Sequence, residues 1–200
     1  MTEEEAIDRL YRECLSRTVC IFTPGGNHGT GFIYDGSCVI TNAHVLYDTD
    51  EFTLTDQAGN ETGGTVIFRD ESTDIAIIRM DGDPGESVVF GDSDLVKTGD
   101  QFLCIGNPDD GEPFAYCTGR CIEPDESLVK GIDPSGIYIP LDAPIVSGYS
   151  GGPVFNMDGE LVGISHAAYS GDLSAYDLEH LSFAIRINSV KDEIIAGCQK

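Results

Sequence analysis

Ser147-Gly148-Tyr149-Ser150-Gly151-Gly152-Pro153 sets a serine among glycines, which is how a nucleophile is displayed. The glycines let the chain turn sharply and a carbonyl approach closely, and the amides of Gly148 and Ser150 can converge on a developing oxyanion. A serine hydroxyl is a poor nucleophile at neutral pH, so it needs a base, and the base needs a group to orient it. His44 ends the apolar run Val39-Ile40-Thr41-Asn42-Ala43-His44, and Asp74 opens the apolar run Asp74-Ile75-Ala76-Ile77-Ile78. A carboxylate on imidazole Nδ1 would fix the tautomer that leaves Nε2 free to take the Ser150 proton. Taken singly, His44 also reads as a strand cap, and Asp74 as a turn residue no better placed than Asp70 or Asp81; the constellation gives them weight.

These residues need a scaffold that joins distant segments. Residues 3–16 read as a helix, with Thr2 as cap and Glu5 three places on, giving an N-terminal helical unit over 1–17. From Thr18 the texture changes to β-branched and aromatic runs broken by Gly, Asp, Asn and Pro. About twelve such runs predict an all-β protein of two packed six-stranded antiparallel barrels. A break near Gly91-Asp92-Ser93-Asp94 divides it into a first barrel over 18–95, carrying His44 and Asp74, and a second over 96–200, carrying Ser150. A C-terminal helix capped by Asn188 or Ser189 and ending at Gly197 closes the second unit, and the three residues would meet in a cleft between barrels.

Composition removes whole classes of partner. Thirty-five acidic residues against eleven basic give a formal net charge of −24, which disfavours nucleic acid and anionic membranes. The residues after Met1 form no leader, no run is long enough to span a membrane, and seven irregularly spaced cysteines suit reduced thiols, so a cytoplasmic protein is expected. Cys117 and Cys121 make no Cys-x-x-Cys, no histidine pair has helical ligand spacing, and Asp109-Asp110-Glu112 matches no calcium loop, so neither metal nor cofactor is expected.

The ordered motifs resemble chymotrypsin-fold (trypsin-like) serine peptidases, and within them the HtrA/DegP-like branch. The resemblance runs over roughly residues 18–190: Gly29-Thr30-Gly31-Phe32-Ile33, Ile40-Thr41-Asn42-Ala43-His44-Val45, Asp74-Ile75-Ala76-Ile77-Ile78, Ile105-Gly106-Asn107-Pro108, Leu141-Asp142-Ala143-Pro144-Ile145, the serine motif, Gly159-Glu160-Leu161-Val162-Gly163-Ile164 and Phe183-Ala184-Ile185. It implies an endopeptidase with catalytic His44, Asp74 and Ser150, an oxyanion hole at Gly148, Tyr149 and Ser150, and protein or peptide substrates. It also implies a shallow pocket for small or medium aliphatic side chains, lined by Ile145, Ser165, His166, Ala167 and Ala184.

Three departures qualify that expectation. Tyr149 stands where asparagine or aspartate is usual before the serine, and could alter or block the cleft. No PDZ module follows within these residues, so control by a peptide-binding domain is not expected. The acidic stretch Asn107-Pro108-Asp109-Asp110-Gly111-Glu112 replaces an apolar loop. Two rival readings follow. One is a non-catalytic or partner-activated binding module of the same fold. The other is an α/β-hydrolase built on the Gly-x-Ser-x-Gly pattern, with His166 and His180 after the serine and Asp172 and Asp177 available.

Overall fold

A computed structural model describes residues 2–47, 49–82, 85–123, 135–174 and 178–200; Asp177 lies outside them. Among these residues thirteen strands form two antiparallel sheets flanked by helices. That excludes the α/β-hydrolase reading, which needs a mainly parallel sheet.

The first helix, α1 (Glu3–Leu15), starts as its sequence dictates. Thr2 Oγ1 accepts from the Glu5 amide at 3.2 Å while Glu5 Oε2 accepts from the Thr2 amide at 2.8 Å, a reciprocal cap. Leu10 and Cys14 are its buried residues. The next strands are β1 (Thr18–Phe22), β2 (His28–Tyr34) and β3 (Cys38–Asn42), the one-turn helix α2 (Ala43–Leu46), then β4 (Thr53–Thr55), β5 (Glu61–Thr62), β6 (Gly64–Asp70) and β7 (Ile75–Met80). Their order, β5-β4-β1-β2-β3-β7-β6, is a seven-stranded sheet curled into a half-barrel, which with the closed barrel below makes the expected all-β two-barrel architecture, with one strand more than the six expected here.

The extra strand has a simple origin. β5 pairs with β4 and β6 with β7, and only Gly63 separates β5 from β6, so one extended run bends there and passes from one sheet edge to the other. A strand that turns a corner cannot hydrogen-bond to its own continuation. Covalent continuity therefore does at that edge what a ladder would do in a closed barrel.

The second sheet closes. β8 (Gln101–Gly106), β9 (Ala115–Cys121), β10 (Tyr138–Asp142), β11 (Pro153–Asn156), β12 (Leu161–Ala168) and β13 (Ser182–Arg186) form a barrel in the order β10-β13-β12-β11-β8-β9. The last helix, α3, runs Ile187–Cys198. It begins earlier than its predicted caps, because Asn188 sends its side-chain amide to Asp92 at 2.7 Å.

Alternation along the strands explains how the sheets hold together. In β7, Ala76, Ile78 and Met80 face the interior of the first sheet with Val19, Ile21, Val39 and Leu54. Ile75 and Ile77 face the other way, into a shared core with Leu103, Ile105, Phe155 and Ile164 of the barrel and Leu10, Val190 and Ile194 of the helices. A strand buried on both faces reads as a continuous apolar run, as 75–78 does. Each such isoleucine contributes roughly 1.5–3 kcal/mol by burial, so a charge at Ile77 would break the joint on which the cleft depends.

Candidate active site

The β3–β7 ladder brings two candidate residues together. It pairs Asn42 with Ile75, so the next residues outward are Ala43 and Asp74. The Ala43 amide and the Asn42 side chain donate to the Asp74 carbonyl at 3.0 and 3.1 Å. Asp74 holds a left-handed φ of 55°, a conformation that aspartate tolerates better than most residues. Val45 and Leu46 plug α2 into the first core, which leaves His44 facing outward. His44 then meets Asp74 twice: its Nδ1 lies 2.7 Å from Oδ2, and its amide donates to Oδ1 at 2.9 Å. The ring is fixed with Nε2 directed away from the carboxylate.

Asp74 has a second imidazole. His166 Nε2, from β12, lies 3.1 Å from the same Oδ2. Burial pushes the Asp74 carboxyl up, but hydrogen bonds from His166 and His44 outweigh it, so the group is held well below the usual carboxylate range and stays ionised. His166 packs on Tyr138, with ring centroids 5.0 Å apart, and meets His44 edge-on at 5.8 Å.

Ser150 sits in the loop from β10 to β11. Gly148 has a φ of 94°, and a Cβ there would collide with the Asn107 carbonyl, so no other residue fits that turn. A polar brace holds the loop: Thr30 Oγ1 donates to the Gly148 carbonyl at 2.7 Å and accepts from the Asn107 amide and side chain at 3.1 and 3.0 Å. The Gly148 and Ser150 amides make no hydrogen bond among the described residues and remain available to an incoming oxygen. The Tyr149 amide donates to the Val146 carbonyl at 3.1 Å, so its expected share in the oxyanion hole is corrected: it is already engaged.

The Tyr149 side chain settles a second point. It is buried in the barrel core against Gly106, where any larger residue would strike its ring. Burial, with Cys117 and Cys104 alongside, pushes its phenol far up. It does not block the cleft.

A cleft of about 390 Å³ is lined by His44, Val45, Ser147, Gly148 and Ser150 together with Gly26, Asn27, His28, Tyr47 and Asp109. No α1 residue lines it. The Ser150 hydroxyl donates to the His166 carbonyl at 3.3 Å, and among the described residues it makes no hydrogen bond to His44. His28 Nε2 lies 2.9 Å from the Asn107 carbonyl and 3.1 Å from Asp109 Oδ1. Of the expected pocket residues, Ile145 and Ala184 lie in the barrel core, Ser165 is fully buried, and Ala167 is exposed on β12. His166 is turned toward Asp74. The pairing of Thr30, Asn107 and His28 lies across the two sheets and leaves no local signal in the sequence, although Thr30 and Asn107 stand in its glycine motifs.

A family model described as "trypsin-like peptidase domain" matches residues 29–164. Curated relatives named "probable periplasmic serine endoprotease DegP-like" include one from Pseudomonas putida (strain W619), 35% identical over 177 residues and covering 82% of this chain and 33% of that protein. Another, from Halomonas elongata, is 33% identical over 170 residues, covering 82% and 34%. The chain thus spans about a third of the length of the curated relatives it matches. Among solved structures, the HtrA-type protease AlgW with tripeptide superimposes with a TM-score of 0.80 at 26% identity, over 93% of this chain and 61% of that one. The inactive form of Rv3671c from M. tuberculosis H37Rv has the same fold, with a TM-score of 0.80 at 23% identity over 100% and 95%. The relatives' names place those proteins in the periplasm, which overturns the expected cytoplasmic location. Free thiols carried little weight for that expectation, because all but the half-buried Cys117 are buried, where a thiol is shielded from its compartment.

Proposed function

From a chain that belongs to the trypsin-like peptidase domain family, we propose a serine endopeptidase that cleaves protein or peptide substrates through an acyl-enzyme. The observation that carries this reading is one cleft holding Ser150, the unengaged amides of Gly148 and Ser150, and His44 fixed through Nδ1 by Asp74. Ser150 rotates from the His166 carbonyl toward His44 Nε2, loses its proton to that nitrogen and attacks the substrate carbonyl. The Gly148 and Ser150 amides receive the oxyanion. His44 returns the proton to the departing amine, and water completes hydrolysis by the same route. Asp74 stays ionised throughout. The whole of residues 1–200 acts as one peptidase domain, with an N-terminal helix over 1–17 and β units over 18–95 and 96–200.

The specificity reading is a preference for small or medium aliphatic P1 side chains, which the resemblance implies for the region of Ile145, Ser165, His166, Ala167 and Ala184, although Ile145, Ser165 and Ala184 are buried here. The absence of a carboxylate from Ala143-Pro144-Ile145-Val146 supports it, and so does Asp142, whose carboxylate accepts from the His180 amide at 3.0 Å. Cleavage-site profiling on a peptide library tests it: small or medium aliphatic P1 residues are expected, and a preference for lysine or arginine would refute it. A second reading, a peptidase that needs an activating partner, is favoured by one observation, the Ser150 hydroxyl turned to the His166 carbonyl. A lag in turnover of an unfolded protein, abolished by prior incubation with substrate, would support it; linear turnover from mixing would remove it.

A further inference from the structure

Asp74 Oδ2 receives imidazole nitrogens from two different elements, Nδ1 of His44 at 2.7 Å and Nε2 of His166 at 3.1 Å. All three ligand atoms lie within 4.8 Å of one another. Two imidazole nitrogens and the carboxylate oxygen they converge on form a donor set suited to borderline divalent ions such as zinc or copper. We propose that His44, Asp74 and His166 bind one such ion, and that its binding excludes the hydrolysis assigned to Ser150. The binding needs only the three side chains; the exclusion rests on the proposed role of His44.

The two contacts to Oδ2 need little change. Bonds of about 2.0–2.2 Å around tetrahedral zinc separate ligand atoms by roughly 3.3 Å, so the His166–Asp74 pair is almost at the required spacing and the His44–Asp74 pair must open by about half an ångström. That opening gives up the hydrogen bond that fixes the His44 ring, and the ion–ligand bonds replace it; the side chain, 42% exposed, has solvent on one side to move into. His166, packed at a tilt against Tyr138, supplies the fixed side of the site. The formal net charge of −24 raises the local concentration of cations and favours their capture.

The exclusion follows from counting ring protons. A neutral imidazole carries one. An ion on His44 Nδ1 occupies that lone pair and leaves the proton on Nε2, the nitrogen that must accept from Ser150. On His166 the ion takes Nε2 and the proton sits on Nδ1. No proton leaves the protein, yet the base facing the serine is gone.

The test uses metal-stripped protein titrated with Co²⁺ as spectroscopic probe and Zn²⁺ as competitor. Stoichiometric Co²⁺ binding is expected, with visible bands of a nitrogen and oxygen site, no thiolate charge-transfer band, and displacement by Zn²⁺. His166→Thr, which removes a direct ligand, should weaken zinc binding by more than the roughly tenfold that loss of a mere ligand-orienting partner causes, and His166→Gln serves as a second variant should the first not fold. Zinc should stop fluorophosphonate labelling of Ser150, and a chelator should restore it. A thiolate band, no stoichiometric binding, or equal affinity in wild type and His166 variants would overturn the site; labelling untouched by saturating zinc would overturn the exclusion. Metal-free protein that binds cobalt as described but never labels would contradict the proposed peptidase while supporting this site.

Discussion

The His166 ring and its own carbonyl reach two different candidate catalytic groups: Nε2 lies 3.1 Å from Asp74 Oδ2, and the carbonyl accepts the Ser150 hydroxyl at 3.3 Å. The ring contact makes His166 a positioning residue for Asp74. A hydrogen bond to an ionised carboxylate contributes about 1.5–3 kcal/mol, so His166→Ala should lower kcat/KM roughly ten- to a hundredfold, mainly through kcat. His166→Gln, which keeps an N–H donor, should recover part of that loss. A merely structural role would instead lower thermal stability and leave kcat of the folded fraction unchanged, which steady-state kinetics on active-site-titrated enzyme would reveal.

Tyr149 is expected to behave as a core residue and not as a lid. Tyr149→Ala should destabilise the fold by about 3–5 kcal/mol, as truncation of large buried aromatics does, whereas Tyr149→Phe should lose only about 0.5–1.5 kcal/mol with its hydroxyl. Urea unfolding of both variants measures this. Higher activity in Tyr149→Ala without loss of stability would return the side chain to the cleft.

Thr30 tests whether the polar brace under Gly148 sets the oxyanion loop. Thr30→Val keeps the shape but removes the hydroxyl that bonds the Gly148 carbonyl and both Asn107 groups. Leaving these buried partners unsatisfied costs about 1–3 kcal/mol. Activity should fall further than stability, because the Gly148 amide moves with its loop, and Thr30→Ser should restore both. Parallel calorimetry and kinetics distinguish the outcomes.

Acid should expose the Asp74 contacts. The Asp74 carboxyl is lowered in the folded protein, so its contribution to stability is fully present above the unfolded value of about 3.9 and is lost as pH falls through the folded value beneath it. The difference in Tm between wild type and Asp74→Asn should therefore be constant at neutral pH and shrink as pH drops below about 4. A difference that holds constant down to strongly acidic pH would mean that Asp74 is not stabilised by its two histidines.

Much of this was legible in the residues, for physical reasons that differ from element to element. The run 75–78 announced an apolar strand; that it is buried on both faces, with alternate side chains serving two cores, emerged from the packing. Thr2 and Glu5 announced the start of α1 because capping is local. The two-residue β5 escaped notice because a strand bent at Gly63 carries no periodicity of its own. Tyr149 looked like an obstacle because its freedom to turn inward depends on Gly106, distant in the chain. His166 looked like a pocket residue, and its approach to Asp74 depends on the packing of one sheet against the other.

The central claim is that Ser150 is an activated nucleophile served by His44. Fluorophosphonate labelling of metal-free protein, read by intact mass, tests it most directly. Wild type should acquire one adduct on Ser150, Ser150→Ala none, and His44→Ala should label slower by several orders of magnitude. Wild type that stays unlabelled before and after exposure to substrate, or that labels as fast without His44, would contradict it.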